Sequence, residues 1–277
     1  MIKNSVTIRA SAWGTLFDCA HRFEWSILMK NRRAPVMRTA LGSAIHHATA
    51  AYDQAVIDGT EFSASDATQA LVDYLNNPPE PVDLGNSDIT KERAVAIGLN
   101  LLMRYINEIA PTMDYVDVET TLDPLYIDCG GGTELVLTGQ MDRGRLERIG
   151  FDGAEVPCDV KSGTRVINGD GDVNVKPYIA QLGVYQVMVD QTKKIQTAGS
   201  RIIALSTSSR QQAAVSPIFD ARKRLLGEPE TDFGPAVPGL IDYAAEMVRS
   251  GLYPPNPQSS LCSERYCARW DVCKFHE

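Results

Sequence analysis

Asp142, Asp159 and Lys161 lie in one short stretch, GQMDRGRLERIGFDGAEVPCDVKSG. A hairpin turning at Gly150 and Phe151 sets Asp142 opposite Asp159. Directly opposed residues of an antiparallel pair hold their β-carbons roughly 4.5 to 5.5 Å apart, near enough for two carboxylates to grip one divalent cation. Alternation along the strand puts Lys161 on the same face as Asp159. Hard oxygen ligands suit Mg2+ or Mn2+. Such an ion lowers the pKa of a bound water, and an ammonium beside it offsets charge developing on a phosphate, which together make phosphodiester hydrolysis. The same residues also fit the wet face of a solvated hairpin, and spacing alone does not choose between the two.

The second chemical signal is thiol. Of the six cysteines, Cys262, Cys267 and Cys273 form C-x4-C-x5-C near the end, and Cys19 stands far upstream in FDCAHRFEW. Without an export signal, metal ligation or inert thiols fit better than a disulfide framework. An iron-sulfur cubane and a tetrahedral zinc both take four ligands, and Cys19 completes the set if the two ends of the chain fold together. Structural zinc sites usually pair cysteines two to four residues apart, so the wider spacing favours [4Fe-4S]. Cys129 and Cys158 fit no such pattern and read as packing residues, Cys158 pointing to the strand face opposite Asp159.

These side chains need elements to position them. Ser11 to Met29 reads as a helix, followed by the basic segment KNRRAPVMR with Lys30, Arg32, Arg33 and Arg38. A second helix is expected from Leu41 to about Ile57, with the apolar stripe Leu41, Ile45, Ala48, Tyr52 and Val56. His46 falls well off that stripe, and Gly42, one turn away on the same side, leaves room for a strand or a substrate to approach. His47 faces another side and reads as structural or solvated. Ala64 to Leu75 and Lys91 to Ile109 are further helices, separated by the helix-breaking NNPPEPVDLGN. Tyr115 to Ile127, Glu134 to Leu146 and Ala154 to Val160 read as strands bounded by glycine clusters. A helix follows over Pro177 to Asp190, then strands over Arg201 to Ser206 and Ala213 to Phe219, and a helix over Val237 to Arg249. This order predicts an α/β or α+β fold with a mixed central sheet, not a doubly wound parallel one. It divides into a helical region (1–110), a core (111–250) and a cysteine-rich tail (251–277).

The chain has 277 residues, 44% hydrophobic and 22% charged, which excludes collagen-like, coiled-coil and fully disordered classes. No apolar run approaches the ~20 residues of a membrane span, and the opening MIKNSVTIRASAWG lacks a secretory stretch, so a cytoplasmic protein without a membrane partner is expected. A net charge of −8 argues against indiscriminate coating of nucleic acid. A local basic track is still expected from Lys30 to Arg38 with Arg143, Arg145 and Arg165. Trp13, Trp25 and Trp270 fit packing better than base stacking. No G-x-x-x-x-G-K-[ST] loop is present, so the chain carries no motor of its own.

Asp142 in GQMDR, Asp159 and Lys161 in DVKSG, and Gln181 and Tyr185 in QLGVY resemble the successive motifs of the PD-(D/E)XK nucleases in their RecB-like branch; Gly42 to His46 (GSAIH) resembles that branch's G-x-x-x-H motif. The split of one cysteine before the core and three after it is similar to the iron-sulfur staple of CRISPR-associated RecB-like exonucleases and AddB-type nuclease domains. The resemblance implies a restriction-endonuclease-like core and a C-terminal staple in which Cys19, Cys262, Cys267 and Cys273 hold a [4Fe-4S] cluster. It implies that His46, Asp142, Asp159 and the carbonyl of Val160 ligate Mg2+ or Mn2+, and that Lys161 is catalytic base or electrostatic stabiliser. Gln181 and Tyr185 would contact DNA or brace the site, and Glu119 is the candidate for an extra carboxylate that some members add. Asp142 departs from the family pattern in following methionine rather than proline.

The implied activity is metal-dependent exonuclease digestion of single-stranded DNA or duplex ends, in recombination, repair or CRISPR-type processing, alone or with a recombination or CRISPR-adaptation protein. The competing readings are a non-catalytic iron-sulfur or zinc DNA-binding subunit, against which the intact His46, Asp142, Asp159 and Lys161 set speaks, and a zinc-stapled structural protein. Absorbance near ~400 nm separates an iron-sulfur cluster from zinc.

Overall fold

A computed structural model describes residues 4–149, 152–232 and 234–276. The chain opens with β1 (Asn4–Arg9), α1 (Trp13–Asp18) and α2 (Ala20–Phe23), which runs into a π-helical turn at Glu24–Leu28. Three helices follow: α3 (Met37–Asp58), α4 (Ala64–Asn76) and α5 (Lys91–Arg104). Next come β2 (Tyr115–Thr121), β3 (Leu125–Gly130), β4 (Thr133–Thr138), β5 (Gln140–Ile149) and β6 (Asp152–Gly163). The crossover helix α6 (Ile179–Lys193) leads to β7 (Arg201–Ser206) and β8 (Ala213–Val215). After α7 (Arg222–Leu226), β9 (Gly227–Glu228) and β10 (Val237–Pro238), α8 (Leu240–Ser250) precedes the tail.

The main sheet has the order β2-β5-β6-β7-β8 and is mixed as expected, with β6 and β7 parallel through α6 and the other pairs antiparallel. The β5–β6 hairpin keeps the expected register, from Arg143 opposite Cys158 to Ile149 opposite Asp152. Its turn at Gly150 and Phe151 lies outside the described residues.

Two cores sandwich this sheet. Val156, Cys158 and Val160 face α3, α4 and α5, together with Ile203 and Leu205 of β7. Ile202 and Ala204 join the other core, with α6 and the β1-β4-β3 sheet. Alternation therefore leaves Asp159 and Lys161 on the β6 face away from the α3–α5 core. Local signals account for the helix ends: Ser63 and Asp66 form a capping box on α4, the Thr90 hydroxyl accepts the Arg93 N–H at 3.2 Å, and Gly59 closes α3 at φ +63°.

Several boundaries differ from expectation. The helix drawn over Ser11 to Met29 breaks at Cys19, which is extended (φ −151°, ψ 98°); the freed Asp18 carbonyl accepts Asn256 Nδ2 at 2.8 Å, so a distant contact overrides local propensity. The two long strands divide at Leu122–Pro124 and at Gly139, and their halves enter different sheets. Gly139 has no space for a side chain, since a Cβ would stand 2.9 Å from Tyr185 Cε1. Strand β1 was not anticipated: Val6 and Ile8 alternate with exposed Ser5, Thr7 and Arg9, but the run is short and mostly polar, and it gains its place by parallel pairing with β4. The last helix begins at Leu240 rather than Val237, which pairs with Glu228. Val56, assigned to the apolar stripe of α3, is exposed. Among the described residues, no helix is long and apolar enough to cross a membrane.

Candidate active site

Four elements deliver the site. Helix α3 carries His46, and Gly42 one turn earlier lets the helix lie against β6, because a Cβ there would meet Ser162 Oγ at 2.9 Å. Strand β2 carries Glu119, whose φ of +51° is in the left-handed region, a conformation that costs a non-glycine residue about 1–3 kcal/mol and is characteristic of functional positions. Strand β5 supplies Asp142, and β6 supplies Asp159 and Lys161. Past the Arg143–Cys158 pair the β5–β6 ladder opens, and the Asp142 carboxylate accepts the Val160 N–H at 2.8 Å.

The ligand atoms of His46, Glu119 and Asp142 all lie within 4.8 Å of one another, a spacing that one metal ion can bridge. His46 Nε2 is 2.7 Å from Asp142 Oδ2, and its Nδ1 is 3.2 Å from Glu119 Oε1. Asp159 stands beside this group: Oδ2 is 2.7 Å from Lys161 Nζ, and Oδ1 accepts Gln181 Nε2 at 3.1 Å. Asp159 is buried, and its Oδ2 accepts no well-formed hydrogen bond despite the ion pair, so a lone pair remains open to a cation. Gln181 Nε2 also donates to the Tyr185 hydroxyl at 3.3 Å. The donor set, one imidazole with carboxylate oxygens, suits Mg2+ or Mn2+.

The electrostatics are those of crowded carboxylates. Burial, the closeness of Asp142 and the counter-pull of Lys161 leave the Asp159 carboxyl pushed up to about 7. For Asp142 burial is outweighed by the His46 bond and the Lys161 charge, which hold it low. Burial raises Glu119. Burial opposes a charge on His46, but the Asp142 bond and both carboxylates outweigh it and favour the imidazolium. Lys161 is likewise held as an ammonium by Asp159 and Asp142 against the effect of burial. Its Nζ also sits 5.5 Å from the centre of the Tyr178 ring.

Two clefts meet at this cluster, and His46, Glu119, Val160 and Lys161 line both. One, of about 940 Å³, runs between α3, the end of β6 and the tail, where Leu261 and Tyr266 form a wall. The other, of about 440 Å³, passes Arg9, Thr138 and Gln140.

The sequence profile of the PD-(D/E)XK nuclease superfamily matches residues 8–274. The chain belongs to that superfamily. No curated protein matches it. PD-(D/E)XK nucleases use divalent metals, and the His46, Glu119 and Asp142 group gives this member a place for one.

His46, Asp142, Asp159, Val160, Lys161, Gln181 and Tyr185 all line one cleft. Glu119, held in reserve, stands in the closest group of ligand atoms. Tyr185 and Gln181 are both buried, and Gln181 Nε2 links the Tyr185 hydroxyl to Asp159 Oδ1.

The basic track needs correction. Arg143 is fully buried against Asp53, Arg145 pairs with Glu147 at 2.6 Å, and Arg38 pairs with Asp88 at 2.6 Å. Arg33 donates to the Glu264 carbonyl and Arg32 to that of Ser26, so much of the basic segment serves to hold neighbouring chain. Arg165 is exposed. His47 stacks near Tyr74, and Trp13, Trp25 and Trp270 pack as expected, Trp25 donating to the Ala268 carbonyl.

Cys19, Cys262, Cys267 and Cys273 line a single cavity with Arg22, Arg269 and Asn256. The Asn256 N–H points at Cys19 Sγ at 3.4 Å. No three of these sulfurs come within 4.8 Å of one another. Cys158 lies in the core, its thiol pushed up to about 12 by burial, and Cys129 is half-buried on β3.

Proposed function

We propose that this chain is a DNA exonuclease that hydrolyses phosphodiester bonds of single strands or duplex ends, and that Cys19, Cys262, Cys267 and Cys273 hold a [4Fe-4S] cluster. The observation that carries the nuclease reading is the convergence of His46, Glu119 and Asp142 beside the Asp159–Lys161 pair at the junction of two clefts. His46, Glu119, Asp142 and Asp159 with the Val160 carbonyl would hold a divalent ion, which when bound would supply an activated water and offset phosphate charge. Lys161, held as an ammonium, points a proton donor at charge developing on the phosphoryl oxygens, so its role is electrostatic stabilisation rather than proton removal. Gln181 fixes the Asp159 carboxylate, and Tyr185 fixes Gln181. A strand lying through both clefts passes its backbone over the cluster.

The wide C-x4-C-x5-C spacing favours iron-sulfur over zinc, and the four thiols line one cavity. The Asn256 N–H directed at Cys19 is the kind of hydrogen bond that tunes cluster sulfurs. The cluster's work is structural, closing the tail onto α1 and α2.

The test is digestion of 5′-labelled and 3′-labelled single-stranded and duplex oligonucleotides with Mn2+ or Mg2+, using anaerobically purified protein. Metal-dependent cleavage that falls about 10²- to 10³-fold in Lys161→Ala is expected. Protein that binds DNA with its 400 nm absorbance intact but never cleaves it is instead a binding subunit, and the catalytic reading fails.

A further inference from the structure

Arg143 is the only arginine among the largest fully buried side chains, and the nuclease chemistry described above does not use it. Its guanidinium reaches three elements at once. Toward α3, Nε donates to Asp53 Oδ2 at 2.6 Å and Nη2 to Thr49 Oγ1 at 3.3 Å. Toward β5, Nη1 donates to the Asp142 carbonyl at 2.7 Å; toward β2, the same nitrogen is 3.4 Å from Glu119 Oε1. These are the three elements that carry the His46, Asp142 and Glu119 ligand group. His46, Thr49 and Asp53 follow one another at three- and four-residue steps, so they share one side of α3. The anchor is itself braced, since the Tyr105 hydroxyl donates to Asp53 Oδ2 at 2.5 Å and contacts the Tyr115 hydroxyl at 3.1 Å.

We infer that Arg143 is a positioning residue for the metal site, setting the mutual distances of His46, Asp142 and Glu119 before a cation arrives. The inference rests on the metal-site reading above. A planar guanidinium with five fixed donors can hold three directions together, whereas a lysine ammonium at the end of a flexible stem cannot. Outer groups that orient ligands in this way typically change metal affinity about 10- to 100-fold when altered. A purely structural ion pair would change folding stability and leave the affinity of the folded protein alone.

Simple truncation of Arg143 strands the Asp53 carboxylate, so two gentler variants serve. Arg143→Lys keeps the charge beside Asp53, and the double variant Asp53→Leu/Arg143→Met removes both buried charges, an exchange that is often neutral or stabilising. Mn2+ affinity is measured by calorimetry on protein whose fold is checked by circular dichroism, alongside cleavage rates as a function of Mn2+ concentration. The expected result is about 10- to 100-fold weaker Mn2+ binding in both folded variants, with cleavage recovering toward the wild-type rate at saturating Mn2+. Unchanged Mn2+ affinity in either folded variant overturns the inference. If the wild type itself binds no Mn2+, the metal-site reading falls first.

Discussion

Asp159 is where the site most strains its own fold, and Asp159→Asn exposes that strain. With its carboxyl pushed up to about 7 by burial, the metal-free native state keeps a proton that the unfolded chain, with an aspartate near 3.9, gives up. A folded pKa above the unfolded one means that the group's contribution is most favourable below about pH 4 and is lost as pH rises to about 7. The gap of about three pH units corresponds to about 4 kcal/mol at pH 8. That is an upper figure, because asparagine also forfeits the Lys161 ion pair at 2.7 Å. Urea unfolding in EDTA from pH 4 to 8 reads this directly. The wild type should lose stability relative to Asp159→Asn across that window. Added Mn2+ should narrow the difference, since binding at one hundred times Kd stabilises the wild type by about 2.7 kcal/mol. Parallel curves in EDTA would refute the argument and mean that Lys161 fully compensates the buried charge.

Other perturbations test separate parts of the site. Gly42→Ala should push α3 away from Ser162, weakening Mn2+ binding and destabilising the fold by about 1–3 kcal/mol; Gly42→Ala/Ser162→Gly should restore both in calorimetry and thermal melts. Cys19→Ser should remove the absorbance near 400 nm and loosen the tail, read as faster proteolysis after Gly251 with the core left intact. Mn2+ binding should release protons, because Asp142 and Glu119 raise the His46 pKa and the Asp159 carboxyl is pushed up to about 7. Calorimetry in two buffers of different ionisation enthalpy counts them, and affinity should fall as pH falls.

How much of this is legible in the sequence depends on whether a residue acts through its near neighbours or its distant ones. The register that brings Asp142 beside Asp159 could be read because a hairpin makes register a local property, although the ladder itself ends at Arg143–Cys158, and Lys161 follows from alternation alone. Periodicity likewise placed His46 away from the α3 stripe. The break at Cys19 could not be read, since its cause is Asn256 in the tail, and β1 was missed because its alternation is confined to Val6 and Ile8. The arginines mark the boundary most clearly. By composition Arg143 and Arg145 are indistinguishable, both on β5 and both near the site, and a basic track for phosphate was the natural expectation. Alternation separates them no further, because residues two apart share a face. What separates them is the partner across the sheet: Arg143 meets Asp53 under α3 with no solvent at all, while Arg145 lies by Glu147 with 16% of its side chain exposed.

That difference bears on how the site is built. A buried charge is tolerated only where its hydrogen bonds are nearly all met, which fixes its neighbours closely. Placing such a group under a metal site gives rigidity that flexible surface arginines cannot supply. By its seven-residue spacing Asp53 lies on the same side of α3 as His46, off the apolar stripe, so periodicity reads it as solvated. It is buried because Arg143 of β5 and the Tyr105 hydroxyl close over that side of the helix, where an unpaired carboxylate would be untenable, so the pair is legible only once the strand is laid against the helix.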